Sequence, residues 1–452
     1  MKILKMIGIS LFIIVLIVLG FNYPKLKLIS GFTAKNMASS YFLAKRSVDY
    51  TNKTDNHGPL TKVATTVVNE TSKTAIATVF GMSSKKAVYR EGVGAVLVAK
   101  ESDLTSNYLK PNRDFTPINK PYPYGNLAPE KHTFQNIDYK TLDSLTGNCF
   151  IENHPDGIKQ TRSILVLYKG KIISEKYAKG FDEHSLLQGW SITKSLVTTC
   201  FGVLEKDQKF NIHNPITDFS EWLQDDRKNI TTSHLLRMES GLEWEENYSK
   251  ICDVTKMLFE DTDVTKRPLS MSLKHNLETE FNYSSGTSNI LSALLKKQFK
   301  TAQEYIDYPY QKLIDKIGMH SMVLETDLAN NYVASSYSWA TTRDWAKFGQ
   351  LMLNNGTWNN EQILSPNWIQ YISTPNKTSK GEYGGQWWLN HGNYMPNVPT
   401  DCFYADGYQG QRIFVIPSKD LVVVRFGVTQ LGRVGFYPLF DRLIGDICNT
   451  IE

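Results

Sequence analysis

Cysteine is scarce in this 452-residue chain, and the five present (Cys149, Cys200, Cys252, Cys402 and Cys448) stand far apart. Without a C-x-x-C pair there is no zinc-ribbon or thioredoxin-like signature. The nine histidines form no H-E-x-x-H and no His-x-His pair. No metal site is therefore expected, and no cofactor is implied. The net charge of +5 comes without a basic stripe or a basic–aromatic alternation, so no nucleic-acid partner is expected. Internal repeats and low-complexity tracts are also missing. An odd number of thiols leaves at least one unpaired. Export would permit a disulfide, Cys149–Cys402 being one pairing among several that remain open.

What is present is an ordinary globular balance, 21% charged and 41% hydrophobic. The length allows one large domain or two to three smaller ones. The amino terminus stands apart. Lys2 and Lys5 precede an apolar run over residues 7–21, closed by Asn22-Tyr23-Pro24. That run is short for a relaxed bilayer span and long enough for a signal-peptide core. No small-x-small cleavage site follows it, and no lipoprotein cysteine. We expect an uncleaved signal anchor over 1–24, with a cleaved signal peptide as the alternative. The protein would then be extracytoplasmic in the cell envelope, membrane-anchored by residues 7–21, or periplasmic or secreted if cleaved. Lys25 and Lys27 balance Lys2 and Lys5, so charge leaves the orientation open.

Beyond residue 25 the pattern predicts a helix over 34–44 and strands over 75–80 and 94–99. Pro111, Pro117, Pro121, Pro123 and Pro129 mark 105–135 as an extended connector. The main boundary is expected near 135, giving an extension over 25–135 and a principal domain over 136–452. There, strands 163–168 and 171–177 meet across Lys169-Gly170 as a hairpin. Helices are predicted from Ser191, then over 231–238, 288–299, 302–317 and 342–354. A second hairpin, 411–417 with 420–427, and a helix over 439–450 close the chain. Strands at both ends with helices between imply an α/β fold: an antiparallel sheet joining the two ends, flanked by helices, with an inserted helical region.

Three blocks carry chemistry. In Ser191-Ile192-Thr193-Lys194 the serine and lysine lie three residues apart on one helix face. A serine hydroxyl needs an adjacent base to attack, and a helix start favours a developing oxyanion. A second Ser-x-x-Lys, Ser83 to Lys86, falls between two strand-like runs and reads as an exposed turn. The next block, Phe281-Asn282-Tyr283-Ser284-Ser285-Gly286-Thr287-Ser288-Asn289, offers a phenol on a loop, with Ser288 as the cap of the following helix. Near an ammonium such a phenol shuttles protons. The last block, Tyr404 to Arg412, places Gly407 and Gly410 where backbone can approach a substrate closely, just before a strand.

In this order and on these elements, the blocks resemble the serine β-lactamase/penicillin-binding-protein superfamily. Within it the chain is most similar to class C β-lactamase-related enzymes of the 6-aminohexanoate-dimer (nylon oligomer) hydrolase and esterase type. Segments 230–242, 336–351 and Gly384-Gly385-Gln386-Trp387-Trp388 add to the likeness, which covers about residues 155–445. The resemblance implies a β-lactamase/transpeptidase-like fold, with Ser191 as nucleophile, Lys194 as its base and Tyr283 as proton shuttle. It assigns the oxyanion hole to the N–H groups of Ser191 and Gln411, and substrate contacts to Tyr248, Ser285, Tyr408 and Gly410. Two positions depart from the β-lactamases: Ser285 stands for Asn, and Tyr408 for Lys or His. A phenol does not replace the cation that holds a β-lactam carboxylate, and Arg412 is the nearby residue that could compensate. The expected partner is a small ester or amide. Alternatives are a D-alanyl-D-alanine peptidase or β-lactamase acting on cell-wall peptides or β-lactams, and a non-catalytic ligand-binding sensor of the same fold. The natural substrate and the oligomeric state are left open.

Overall fold

The computed structural model describes residues 2–151, 160–431 and 433–452, with side chains left out at 2–5, 8–19, 21, 22, 433 and 434. The chain forms two compact units: Met1–Arg90, Ala95–Asn107 and Glu245–Val264 in the first, Glu91–Gly94, Tyr108–Trp244 and Thr265–Glu452 in the second.

The first unit packs the helix Lys2–Ala38 on an antiparallel sheet of β1 (Ala64–Asn69), β2 (Thr74–Val79), β3 (Ser83–Arg90) and β4 (Gly94–Val98), in that order. Ala34, Met37 and Ala38 are fully buried among Ala75, Ala77, Ala87 and Ala95, small side chains that let helix and sheet approach closely. The helix predicted over 34–44 is thus the tail of a longer one, continued by a π-turn at Ser39–Leu43. Ser83 and Lys86 lie inside β3, not in an exposed turn. The chain reverses earlier, at Phe80 and Gly81 with φ of 51° and 68°, so pairing resumes at Ser83. Its buried hydroxyl lies 3.1 Å from that of Ser30. Among the described residues no helix is long and apolar enough to cross a membrane. Most side chains of the 7–21 run, on which the anchor expectation rests, lie outside the described residues.

The second unit holds β5 (Thr161–Tyr168), β6 (Lys171–Tyr177), β7 (Leu187–Gln188), β8 (Val323–Leu324), β9 (Ser338–Ala340), β10 (Thr357–Trp358), β11 (Glu361–Gln362), β12 (Trp388–Leu389), β13 (Phe403–Gly407), β14 (Gln411–Ile416) and β15 (Leu421–Gly427). Six of these form one antiparallel sheet, β12-β13-β14-β15-β5-β6, so the two ends of the domain meet where β15 pairs with β5. Lys169 and Gly170, with φ of 48° and 68°, make the predicted hairpin. Strands β5, β14 and β15 are buried throughout because helices cover both faces. Leu165, Ile413, Val422 and Val424 face the core that holds the helices Ile192–Lys206 and Thr342–Leu353. Ile164, Phe414 and Val423 face the helices Tyr139–Asn148 and Arg433–Asn449.

Several expected bounds shift. The helix Ser285–Lys297 begins a turn before Ser288, because the extended Ser284 caps it, accepting from Thr287 N at 2.9 Å. The helix predicted over 302–317 ends at Pro309 and passes into a π-turn, Tyr310–Ile314. The connector lacks long regular elements, yet from Tyr108 it belongs to the second unit. Asp307 accepts Asn112 N at 2.7 Å, and Asp315 accepts Arg113 Nε at 2.8 Å. The chain passes between the units at Glu91–Gly94, before Tyr108 and around Glu245–Val264. Among the described residues no disulfide joins Cys149 and Cys402; all five cysteines are buried, and burial pushes the thiol pKa of Cys448 up to about 11.

Candidate active site

The helix Ile192–Lys206 runs through the core, buried on every side from Ile192 to Leu204. Ser191 is its N-cap residue, yet its side chain makes no capping hydrogen bond, which leaves the hydroxyl for other work. The approach to it is a tight elbow. Trp190 has φ of 49°. A Cβ on Gly189 would fall 2.8 Å from the Trp345 ring and 2.9 Å from Ser338 Oγ. Gly189 N donates to Ser338 O at 2.8 Å, and Thr193 Oγ1 to Trp190 O at 2.6 Å. These contacts hold the serine in place.

Lys194, one turn on, is 2% exposed. Its Nζ donates to Ser191 Oγ at 3.0 Å, Ser285 Oγ at 3.1 Å and Ser335 O at 2.8 Å. Ser335 is held in turn by Asn289, whose Oδ1 accepts the Ser335 N–H at 3.1 Å. The Tyr283 ring centroid lies 4.9 Å from Nζ. That ring packs against Trp388 at 5.2 Å and Tyr383 at 6.0 Å. Trp388 comes from the 384–388 block, and Gln386 explains the rest of that block. Its amide donates to the carbonyls of Leu235 and Leu236 and accepts from Ser288 Oγ, while its carbonyl accepts from Ser195 Oγ at 2.6 Å. The block ties the helix Ile192–Lys206 to the helix Ser285–Lys297 that follows Tyr283.

The structure thus gathers Ser191, Lys194, Tyr283 and Ser285. Ser285 is fully buried and acts as a partner of the lysine. Tyr408 is 53% exposed and stands edge-on to Trp190 with centroids 5.6 Å apart. Partial burial raises its pKa above 10.0, so it is a neutral phenol at pH 7. Gly407 does need its missing side chain, but for an internal reason: a Cβ there would fall 2.2 Å from Gly189 O. Strand β13 therefore abuts the elbow that leads into Ser191.

The other expected residues have contacts of their own. Gly410, with φ of 81°, is buried where a Cβ would fall 2.7 Å from both Arg425 Nη1 and Phe436, so the contacts that require glycine are internal. Gln411 is buried on β14 across from Gly407. Its side-chain amide donates to Tyr408 O at 2.8 Å and accepts from Gly427 N at 2.9 Å. Arg412 pairs with Asp406 and lies over Phe436 and Phe440 at 5.3 and 5.0 Å. It is on the opposite sheet face and supplies no cation beside Tyr408. Tyr248 belongs to the first unit, half-exposed, its hydroxyl donating to Glu246 at 3.0 Å. Sequence reading missed Ser335, Asn289 and Trp388. Asn289, a polar residue opening an apolar helix, was the one with a visible signal. Among the described residues no group of His, Cys, Asp or Glu could hold a metal ion.

A serine-lysine pair at the start of a central helix, beside an antiparallel sheet flanked by helices, matches a β-lactamase/transpeptidase-like fold. A beta-lactamase family model matches residues 159–430. A 6-aminohexanoate-dimer hydrolase from Paenarthrobacter ureafaciens is 22% identical over 294 residues, 59% of this chain and 72% of that protein. A Bacillus anthracis protein, provisionally named a 6-aminohexanoate-dimer hydrolase, superposes with a TM-score of 0.57 at 17% identity, covering 91% of this chain and 97% of its own. A family VIII carboxylesterase gives a TM-score of 0.54 at 14% identity over 72% of this chain and 100% of that one. The chain belongs to the beta-lactamase family, and it is a serine hydrolase.

Proposed function

We propose that the protein cleaves small esters or amides through an acyl-enzyme on Ser191, with Lys194 as base and Tyr283 as proton shuttle. The observation that carries this reading is the 3.0 Å contact between Lys194 Nζ and Ser191 Oγ inside the core. In its unprotonated form the amine is placed to accept the hydroxyl proton. The same three contacts suit both forms: an ammonium donates to all three oxygens, whereas an amine donates to Ser285 and Ser335 and accepts from Ser191. In acylation the Ser191 oxygen attacks the carbonyl carbon, its proton passes to Lys194, and Tyr283 delivers a proton to the departing alcohol or amine. Water then reverses the sequence and frees the acid. One oxyanion donor is the Ser191 N–H. For the second we favour the Tyr408 N–H over that of Gln411, because Gly407 is the residue in contact with the elbow.

Uncharged esters fit better than β-lactams. Tyr408 is neutral where a carboxylate-binding cation would be needed, and Arg412 is committed to Asp406 on the far face. The relatives named as hydrolase and carboxylesterase support the same preference. The test is a panel of short p-nitrophenyl esters, aminohexanoate dimer, D-Ala-D-Ala peptides and nitrocefin. Esters should turn over faster than nitrocefin, Ser191→Ala should abolish turnover, and Tyr408→Lys should raise β-lactam acylation. Robust nitrocefin hydrolysis by the unmodified protein would overturn the preference. We also propose that residues 7–21 hold the protein at a membrane with its hydrolase domain outside the cytoplasm, a reading supported by the apolar run and the missing cleavage site.

A further inference from the structure

We infer that Arg425, together with Arg412, is a positioning residue that holds the oxyanion-binding turn from the back of the sheet. The inference rests on the acyl-enzyme reading above and concerns the same site. The turn Gly407 to Gln411 joins β13 to β14, and each of its five carbonyls has a side-chain donor. Arg412 Nη1 donates to Gly407 O at 3.3 Å and Gln411 O at 3.1 Å. Gln411 Nε2 donates to Tyr408 O at 2.8 Å. Arg425 Nη1 donates to Gln409 O at 3.3 Å and Gly410 O at 3.0 Å. The remaining N–H groups of Arg425 reach Thr161 Oγ1 at 3.2 and 2.8 Å and Thr429 Oγ1 at 2.5 Å. All five donors of the guanidinium are therefore used within the fold, and none is left over for a ligand.

Arg412 and Arg425 are register partners on adjacent strands, so both guanidinia lie on one face. Their neighbours in the strands, Phe414 and Val423, belong to the core opposite the one holding the nucleophile helix. A trans peptide is planar, with its N–H pointing away from its C=O. The guanidinium of Arg412, gripping Gly407 O, turns the Tyr408 N–H favoured above toward the opposite face, and Arg425, gripping Gln409 O and Gly410 O, fixes the rest of the turn that carries it. Binding a cation at the carbonyl also polarises the amide and strengthens its N–H as a donor. Gln409 needs such support, since its φ of 63° is left-handed without being glycine. Arg412 is neutralised by Asp406. Arg425 is the better target for mutation, because a cavity of about 170 Å³ lined by Cys149, Leu439, Phe440 and Leu443 opens beside it.

Arg425→Ala frees the turn that carries the Tyr408 N–H and should lower kcat for an ester by up to about 100-fold, the scale of one lost oxyanion donor, while KM moves by no more than about threefold. A trifluoromethyl ketone, which binds as a tetrahedral oxyanion, should lose affinity by a similar factor. Millimolar guanidinium or methylguanidinium, entering through the cavity, should recover at least about tenfold of the loss. Arg425→Lys, which keeps charge without the fork, should recover less than guanidinium does. Unchanged kcat and ketone affinity would overturn the inference, as would losses that track the unfolded fraction without guanidinium rescue. Fluorophosphonate labelling separates the two claims. An unlabelled Ser191 in the unmodified protein sinks the acyl-enzyme reading and this inference with it, whereas equal labelling rates in protein and variant sink this inference alone.

Discussion

At the scale of single residues, the site is organised around an amine that water barely reaches. Lys194 donates to two hydroxyls and one carbonyl, an arrangement that keeps Nζ fixed. Lys194→Ala and Tyr283→Phe should each lower ester kcat by about 100-fold or more, the usual worth of a general acid–base group. KM should change little, and full activity in Tyr283→Phe would identify another shuttle. A fluorophosphonate should modify Ser191 and leave Ser83 untouched, since Ser83 is buried in β3 against Ser30; adduct that survives Ser191→Ala would reverse that. The Ser191–Lys194 pair was legible because three residues along a helix make neighbours. Ser335 was not, because 141 residues separate it from the lysine it receives a hydrogen bond from.

Elements owe their positions to a few side chains, or to their absence. Gly202 sits where the helix Ile192–Lys206 crosses Trp368, and a Cβ there would fall 2.5 Å from the indole. Alanine gains about 1 kcal/mol in helix propensity, while overpacking costs about 1–3 kcal/mol. Packing should win, so Gly202→Ala should lower Tm; a rise would mean that Trp368 yields. The short helix Thr232–Leu236 depends on a capping box in which His234 Nδ1 accepts Thr231 N at 3.1 Å. Burial, opposed by Glu278 and Glu239, holds the imidazole pKa below 6.5. With the folded value depressed, the unfolded chain binds the proton first, and stability falls as pH drops below about 6.5. Tm measured from about pH 7.5 down to about pH 5 should therefore decline more steeply than in His234→Asn, and parallel curves would count against this role. The hairpins were read correctly because alternation and turn residues are local. The Ser284 cap was misplaced because several hydroxyls in Ser284-Ser285-Gly286-Thr287-Ser288 qualify, and only the backbone at Ser284 is extended.

At the scale of the whole molecule, the amino-terminal helix has two parts with different prospects. Leu26, Leu28, Ala34, Met37 and Ala38 are buried in the first unit, whereas Met6, Ile7 and Tyr23 are exposed. Removing residues 1–24 should leave Tm and esterase activity unchanged and move the protein from the membrane fraction to the soluble one. Removing residues 1–40 should destabilise the first unit, seen as a lost or lowered thermal transition. Full-length protein found in the soluble fraction would defeat the anchor proposal.

What this sequence determined by itself was local or near-local: the hairpins at Lys169-Gly170 and Ser418-Lys419, the central helix, and a serine and lysine one turn apart. Backbone preference and residue spacing suffice for these. Only the tertiary structure decided that Gly407 meets Gly189, that Arg412 and Arg425 stand behind the turn they grip, and that the units part before Tyr108. Those facts depend on which face of a strand meets which helix, and on contacts between residues tens to hundreds of positions apart. They arise from burying both faces of one sheet at once, a condition that no short stretch of sequence expresses.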